Sequence, residues 1–154
     1  MHSFSMKKQD ARRQREQKSF VLDSSVALAW CFRDEQDTYS LRVAGALLER
    51  EAVVPLLWRI EVANCLLTGE RTKRSEQTDT ANWTWYLENL PIRTDDRSDP
   101  WTFDSILPVA RKYGLTAYDT AYLELALRRS LPLATLDKKL RAAMKEAGVP
   151  LFLS

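Results

Sequence analysis

Histidine is nearly missing from this chain of 154 residues: its one copy is His2, close to the start. That excludes a paired-histidine acid–base ribonuclease mechanism and a Ser–His–Asp triad. Glycine is almost as scarce, at four residues, and neither a GxxxxGK[ST] loop nor a GxGxxG turn occurs. Nucleotide chemistry built on those backbone cradles is therefore excluded. The two cysteines, Cys31 and Cys65, sit in apolar, helix-compatible stretches with no CxxC pair. They read as reduced thiols of a cytosolic chain, with neither a disulfide framework nor a zinc site. No apolar run approaches the roughly 20 residues that cross a bilayer. The basic N-terminus is not followed by a continuous apolar segment, so no signal peptide is expected. The expectation is a cytoplasmic protein with no membrane partner.

What is present describes one ordinary domain: 45% hydrophobic and 29% charged residues, enough to bury a core without staples. The net charge of +2 is uneven. Residues 1–18 carry six basic side chains against two acidic ones, a net of +4, which leaves −2 for the rest. Residues 1–18 are accordingly expected as a flexible basic N-terminal arm and 19–154 as the folded domain. The arm could touch a polyanion, or be a solvated tail. A mildly acidic body suits a nucleic-acid binder only if a cation offsets its carboxylates.

Short apolar runs alternate with amphipathic stretches along the chain. Strands are expected at Ser19–Asp23, Val53–Pro55, Leu90–Ile92, Leu131–Thr135 and Val149–Leu153. Helices are expected at Ser24–Phe32, Asp37–Arg50, Pro55–Leu67, Ser75–Leu90, Trp101–Tyr113, Thr116–Arg129 and Lys138–Ala147, with a charged loop over Asp95–Pro100. This alternation predicts a three-layer α/β/α fold around a central parallel sheet. Ligands of such sheets gather beyond the carboxyl ends of the strands.

Four acids are placed for that edge. Asp23 ends the first strand, Asp137 ends the Leu133–Leu136 run, Asp119 opens the helix after Thr116, and Glu61 lies in the helix after Pro55. Three have a plain alternative: Asp23 and Asp137 as N-caps, and Asp119 as part of a capping box with Thr116. Glu61, six residues past Pro55, is too deep to cap if the helix starts there. It shares a polar stripe with Asn64 and Thr68, beside an apolar face of Leu56, Ile60, Ala63 and Leu67, and a solvated face would account for it as well. Together the acids suggest more. Converging carboxylates repel unless a cation joins them, and an all-oxygen set suits Mg²⁺, with Mn²⁺ as substitute. The matching chemistry is metal-assisted phosphodiester hydrolysis.

The segments Phe20–Trp30, Val54–Asn64, Leu115–Ala126 and Leu133–Leu140, in that order, resemble the PIN-domain ribonucleases, most closely the VapC-like toxins of type II toxin–antitoxin systems. The likeness runs from about residue 19 to the end. It implies a Mg²⁺-dependent endoribonuclease with Asp23, Glu61, Asp119 and Asp137 as catalytic and metal-site carboxylates. It further implies Ser24 or Ser25, Asn64 and Thr135 as residues lining the site. The partners it implies are an RNA substrate, a cognate antitoxin protein and a second copy of the chain. Arg33 stands where the family usually has proline, and the long basic arm is atypical. Trp83 and Trp85, two apart on one helix, cannot share a face, so one of them is expected at the surface. Basic side chains that could hold RNA occur at Arg71, Lys73 and Arg74, at Arg128 and Arg129, and at Lys138, Lys139 and Arg141.

Two other readings belong to different classes. One is a PIN-like RNA-binding module that no longer cuts. The other is a regulatory α/β domain phosphorylated on aspartate, but Asp23-Ser24-Ser25 lacks the second acid such a site needs.

Overall fold

Four apolar runs become the strands of one all-parallel sheet: β1 (Phe20–Leu22), β2 (Ala52–Val54), β3 (Ile92–Thr94) and β4 (Leu133–Ala134). They belong to a computed structural model that describes residues 2–16, 18–96 and 102–154. The spatial order is β3-β2-β1-β4. Every residue of β1, β2 and β4 is buried, as expected for parallel strands covered on both faces. The register sets Val21 of β1 between Val53 and Leu133.

Among the described residues, eight α-helices complete the three-layer α/β/α architecture: α1 (His2–Glu16), α2 (Ser24–Cys31), α3 (Thr38–Ala46), α4 (Trp58–Arg71), α5 (Gln77–Glu88), α6 (Phe103–Tyr113), α7 (Ala117–Arg129) and α8 (Lys138–Ala147). Local chemistry places several ends. Asp37 and Ser40 form a reciprocal capping box at the start of α3, and Thr102 and Thr116 cap α6 and α7. Gly114 and Gly148 end α6 and α8 at φ of 64° and 76°, a left-handed conformation that costs glycine nothing. One more glycine is needed for closeness. A Cβ on Gly69 would stand 2.8 Å from Ser75 Oγ and 3.1 Å from the Phe32 ring.

Within the expected N-terminal arm, residues 2–16 form the helix α1, with the side chains of residues 5–11 exposed. Several expectations need correction. Sequence spacing puts Leu41, Ala44, Leu47 and Leu48 on one face of the second helix, but the buried side chains there are Ser40 and Val43 of α3 and Leu47 just after it, whereas Leu41 and Leu48 face solvent. Helix α4 begins at Trp58, because Pro55 closes a turn by accepting the Trp58 N–H at 3.0 Å. Its buried face is Trp58, Val62, Leu66 and Gly69. Leu56, Ile60 and Leu67, expected inside, are exposed. The final run makes a single bridge, Leu133 to Leu151, since Pro150 has no N–H to extend a ladder and Leu153 turns away at φ 55°. Phe152 still closes the core, stacked on Phe20 with ring centroids 3.9 Å apart. Trp83 packs edge-on against Phe32 and Trp85 is exposed, so the pair divides as the spacing required. The loop expected over 95–100 lies outside the described residues beyond Asp96, and so does Trp101.

Candidate active site

Sheet topology creates the crevice. From β1 the chain moves to β2 and β3 on one side, and β4 later pairs on the other. The carboxyl ends of β1 and β4 therefore flank a topological switch point, where open parallel sheets bind ligands. Asp23 is the first residue after β1 and Thr135 the first after β4.

Asp23 occupies the N-cap position of α2 but makes no side-chain cap bond, so the cap reading fails for it. Its Oδ2 instead accepts from Ser25 Oγ at 2.6 Å and Thr135 Oγ1 at 2.7 Å. Backbone amides orient both hydroxyls. Leu136 N–H donates to Ser25 Oγ at 3.1 Å, and Asp137 N–H donates to Thr135 Oγ1 at 3.0 Å. With a lone pair committed to an amide, each hydroxyl can turn its proton to the carboxylate. Thr135 is itself fully buried, and its carbonyl accepts from Arg141 Nε at 2.8 Å.

The other acids reach this edge from separate elements. Glu61 stands in the first turn of α4, shallower than the expected helix start implied, yet it caps nothing. Its Oε1 accepts from the Tyr122 hydroxyl, carried by α7. Asp119 is also on α7, where Thr116 rather than Asp119 supplies the cap, accepting the Asp119 N–H at 3.1 Å. Asp137 is a true cap: its Oδ1 accepts from Leu140 N–H at 2.8 Å.

Electrostatics link the set. Burial pushes the Asp23 carboxyl up, the Ser25 and Thr135 hydrogen bonds oppose this, and the charges of Asp119 and Asp137 add to the rise. Glu61 is raised by burial and then by Asp23 and Asp119, with Tyr122 acting against. Asp119 is raised by burial and by Asp137, against Thr116 and Lys139. Among the described residues none of the four is ion-paired. Three half-buried or buried carboxylates, raised first by burial and then by neighbouring acids, make a locus that a cation would relieve.

No group of three or more His, Cys, Asp or Glu side chains is arranged to hold a metal ion among the described residues. The donor chemistry still fits a hard cation. Asp23, Glu61 and Asp137 each have one oxygen engaged by an internal donor, and no hydrogen bond to the other oxygen among the described residues.

The accessory residues divide. Ser25 and Thr135 touch Asp23. Ser24 lies against Tyr122 and lowers that phenol's otherwise raised pKa. Asn64 is exposed, and no hydrogen bond joins its side chain to the acids among the described residues. Tyr122 was missed by sequence reasoning because an aromatic three residues after Asp119 reads as helix core. Arg74 is paired with Asp34 and Glu35, Arg128 with Asp95 and Glu124, and Arg129 with Asp95. Of the basic clusters, Lys138 and Lys139 remain exposed beside the site.

Comparison with known proteins fits this geometry. The structure of PAE2754 from Pyrobaculum aerophilum is similar, with a TM-score of 0.62 and 23% identity over 81% of this chain and 78% of that one. So is that of VapBC2 from Rickettsia felis bound to a DNA fragment from their promoter, with a TM-score of 0.57 and 13% identity over 87% of this chain and 97% of that one. At these identities the likeness is one of fold. No curated protein matches. The profile described as PIN domain matches residues 20–146, most of the chain and all four acids, and the chain belongs to the PIN domain family.

Proposed function

We propose that this protein is a divalent-metal-dependent endoribonuclease, with Mg²⁺ as the working ion and Mn²⁺ as a substitute, acting as the toxin of a toxin–antitoxin pair. The carrying observation is that Asp23, Glu61, Asp119 and Asp137 lie close enough at the β1–β4 crevice to act on one another by charge, that burial and neighbouring acids raise the carboxyls of Asp23, Glu61 and Asp119, and that none of the four has an ion pair among the described residues. PIN domains are generally nucleases that use divalent metal, and membership of that family supports the same reading.

Asp23, Glu61, Asp119 and Asp137 would hold the ion, which supplies polarisation of a scissile phosphate and of the attacking water. The chain's own contribution is positional. Ser25 and Thr135 fix Asp23 with one oxygen committed, and the Leu140 amide does the same for Asp137. Lys138 and Lys139 on the first turn of α8 supply positive charge for a phosphate backbone. The toxin role draws on the neighbour VapBC2 and implies an antitoxin as partner. Exposed Leu56, Ile60, Trp85 and Phe103 offer apolar surface to that protein or to a second copy of this chain.

The test is Asp119→Asn, assayed on RNA with Mg²⁺ and with chelator. Cleavage should fall by about a thousandfold, the scale of several kcal/mol of lost charge stabilisation, while the thermal melt stays cooperative. Sequencing of RNA ends from cells expressing both forms would then show the cut sites. A variant that cuts like the wild type would overturn the assignment.

A further inference from the structure

The Tyr122 hydroxyl is a polar group that the proposed reaction does not use. Its residue is fully buried, with the ring in the core formed by α7 and the sheet. The hydroxyl emerges where Asp23, Glu61 and Ser24 meet, and it donates to Glu61 Oε1. Two features set this bond apart from simple satisfaction of a buried phenol. First, Glu61 has a longer and freer side chain than the aspartates of the site, so its head group needs a tether to stay at the crevice. Second, the bond repeats what is done to Asp23 and Asp137: an internal donor takes one carboxylate oxygen and leaves the other. For Asp23 the donors come from its own helix and from β4's end; for Glu61 the donor comes from α7, three residues beyond Asp119. One helix therefore carries both an acid of the site and the anchor for another.

We propose that Tyr122 is a positioning residue for this site, holding Glu61 by one oxygen so that its other oxygen is presented to a divalent cation. The inference rests on the metal-dependent reading above. Donors of this outer kind orient ligands and typically change metal affinity by about 10–100-fold when removed.

The experiment is Mn²⁺ binding by electron paramagnetic resonance on the full chain. Wild type is compared with Tyr122→Phe, Glu61→Gln and the double variant, with a thermal melt for each. Phe keeps the buried ring and removes the donor; Tyr122→Met removes it equally should the Phe form not fold. Tyr122→Phe should weaken Mn²⁺ binding by about tenfold. In RNA cleavage the same variant should lose turnover at limiting metal, recover it with excess Mn²⁺, and keep the KM for RNA. In the Glu61→Gln background the loss of the hydroxyl should have no further effect. Wild-type Mn²⁺ affinity in a folded Tyr122→Phe protein would overturn the positioning role and leave the nuclease reading standing. Effects that multiply in the double variant would also overturn it, since Tyr122 would then not act through Glu61. A wild type that binds no Mn²⁺ would overturn both readings.

Discussion

Acids stand at two places along the same edge of the sheet, and the chain treats them oppositely. At the end of β3, Asp95 has a side chain only 7% exposed and is met by Arg128 at 2.5 Å and Arg129 at 3.2 Å. Arg128 also holds Glu124, one turn back on α7. At the ends of β1 and β4, Asp23, Glu61, Asp119 and Asp137 are met by hydroxyls, an amide and one another. Helix α7 serves both groups, with arginines in its last turn and Asp119 in its first. The difference separates structure from chemistry. A carboxylate neutralised within the chain ties elements together, whereas carboxylates left without an internal counter-charge would, on the proposed reading, be matched to a charge from outside.

Asp95→Ala is the sharpest way to test the first half of that contrast. It leaves Arg129, 19% exposed at its side chain, without its carboxylate, and unpairing such a charge costs about 3 kcal/mol. The melting temperature should drop accordingly, while the folded fraction binds Mn²⁺ as before. A stability within about 0.5 kcal/mol of wild type, the usual range for an ordinary surface site, would mean that the two groups do not differ as described.

Much of the contrast could not be read along the chain. Arg128 and Arg129 looked like candidates for an RNA backbone because their partner lies 33 or 34 residues away, in a segment that reads as a loop. Asp23 looked like an N-cap because the spacing fits. Its side chain is held instead by Ser25, two residues on, and by Thr135, 112 residues distant, which adjoins it only because β4 pairs with β1. The cap was legible for Asp137, whose partner Leu140 is local. Strand and helix alternation revealed the architecture, but amphipathic faces failed in α3 and α4. Both helices expose leucines that periodicity alone assigns inward, and a partner surface looks the same as a core stripe in sequence. Glu61 drew notice for the wrong reason. Leu57 precedes α4 as a cap residue without a capping side chain, so nothing local marked the true start.

A smaller effect separates the groups by pH. Asp23, Glu61 and Asp119 are raised above their ordinary values of 3.8 for Asp and 4.5 for Glu. A raised acid binds more protons folded than unfolded, so its contribution is complete below the ordinary value and is lost as pH climbs through the raised one. In chelator, the melting temperature should therefore decline as pH rises above about 4. Mg²⁺ should restore much of that loss at neutral pH, because an ion bound only by the folded state stabilises it. Asp119→Asn should flatten the decline. A metal-free melting temperature that climbs steadily between those values and neutrality would contradict the raising of Asp23, Glu61 and Asp119.

The finest test falls on Asp137, which belongs to both descriptions. Its Oδ1 caps α8, and its charge raises Asp23 and Asp119. The two duties can be separated because asparagine caps a helix about as well as aspartate, and alanine does not. Asp137→Asn should leave stability almost unchanged and remove cleavage. Asp137→Ala should remove cleavage equally and also cost about 1 kcal/mol through the lost cap. Melting and RNA cleavage measured on both variants decide the matter. If the asparagine form cuts RNA at the wild-type rate, Asp137 is a cap alone, and the set proposed to face a cation shrinks to Asp23, Glu61 and Asp119.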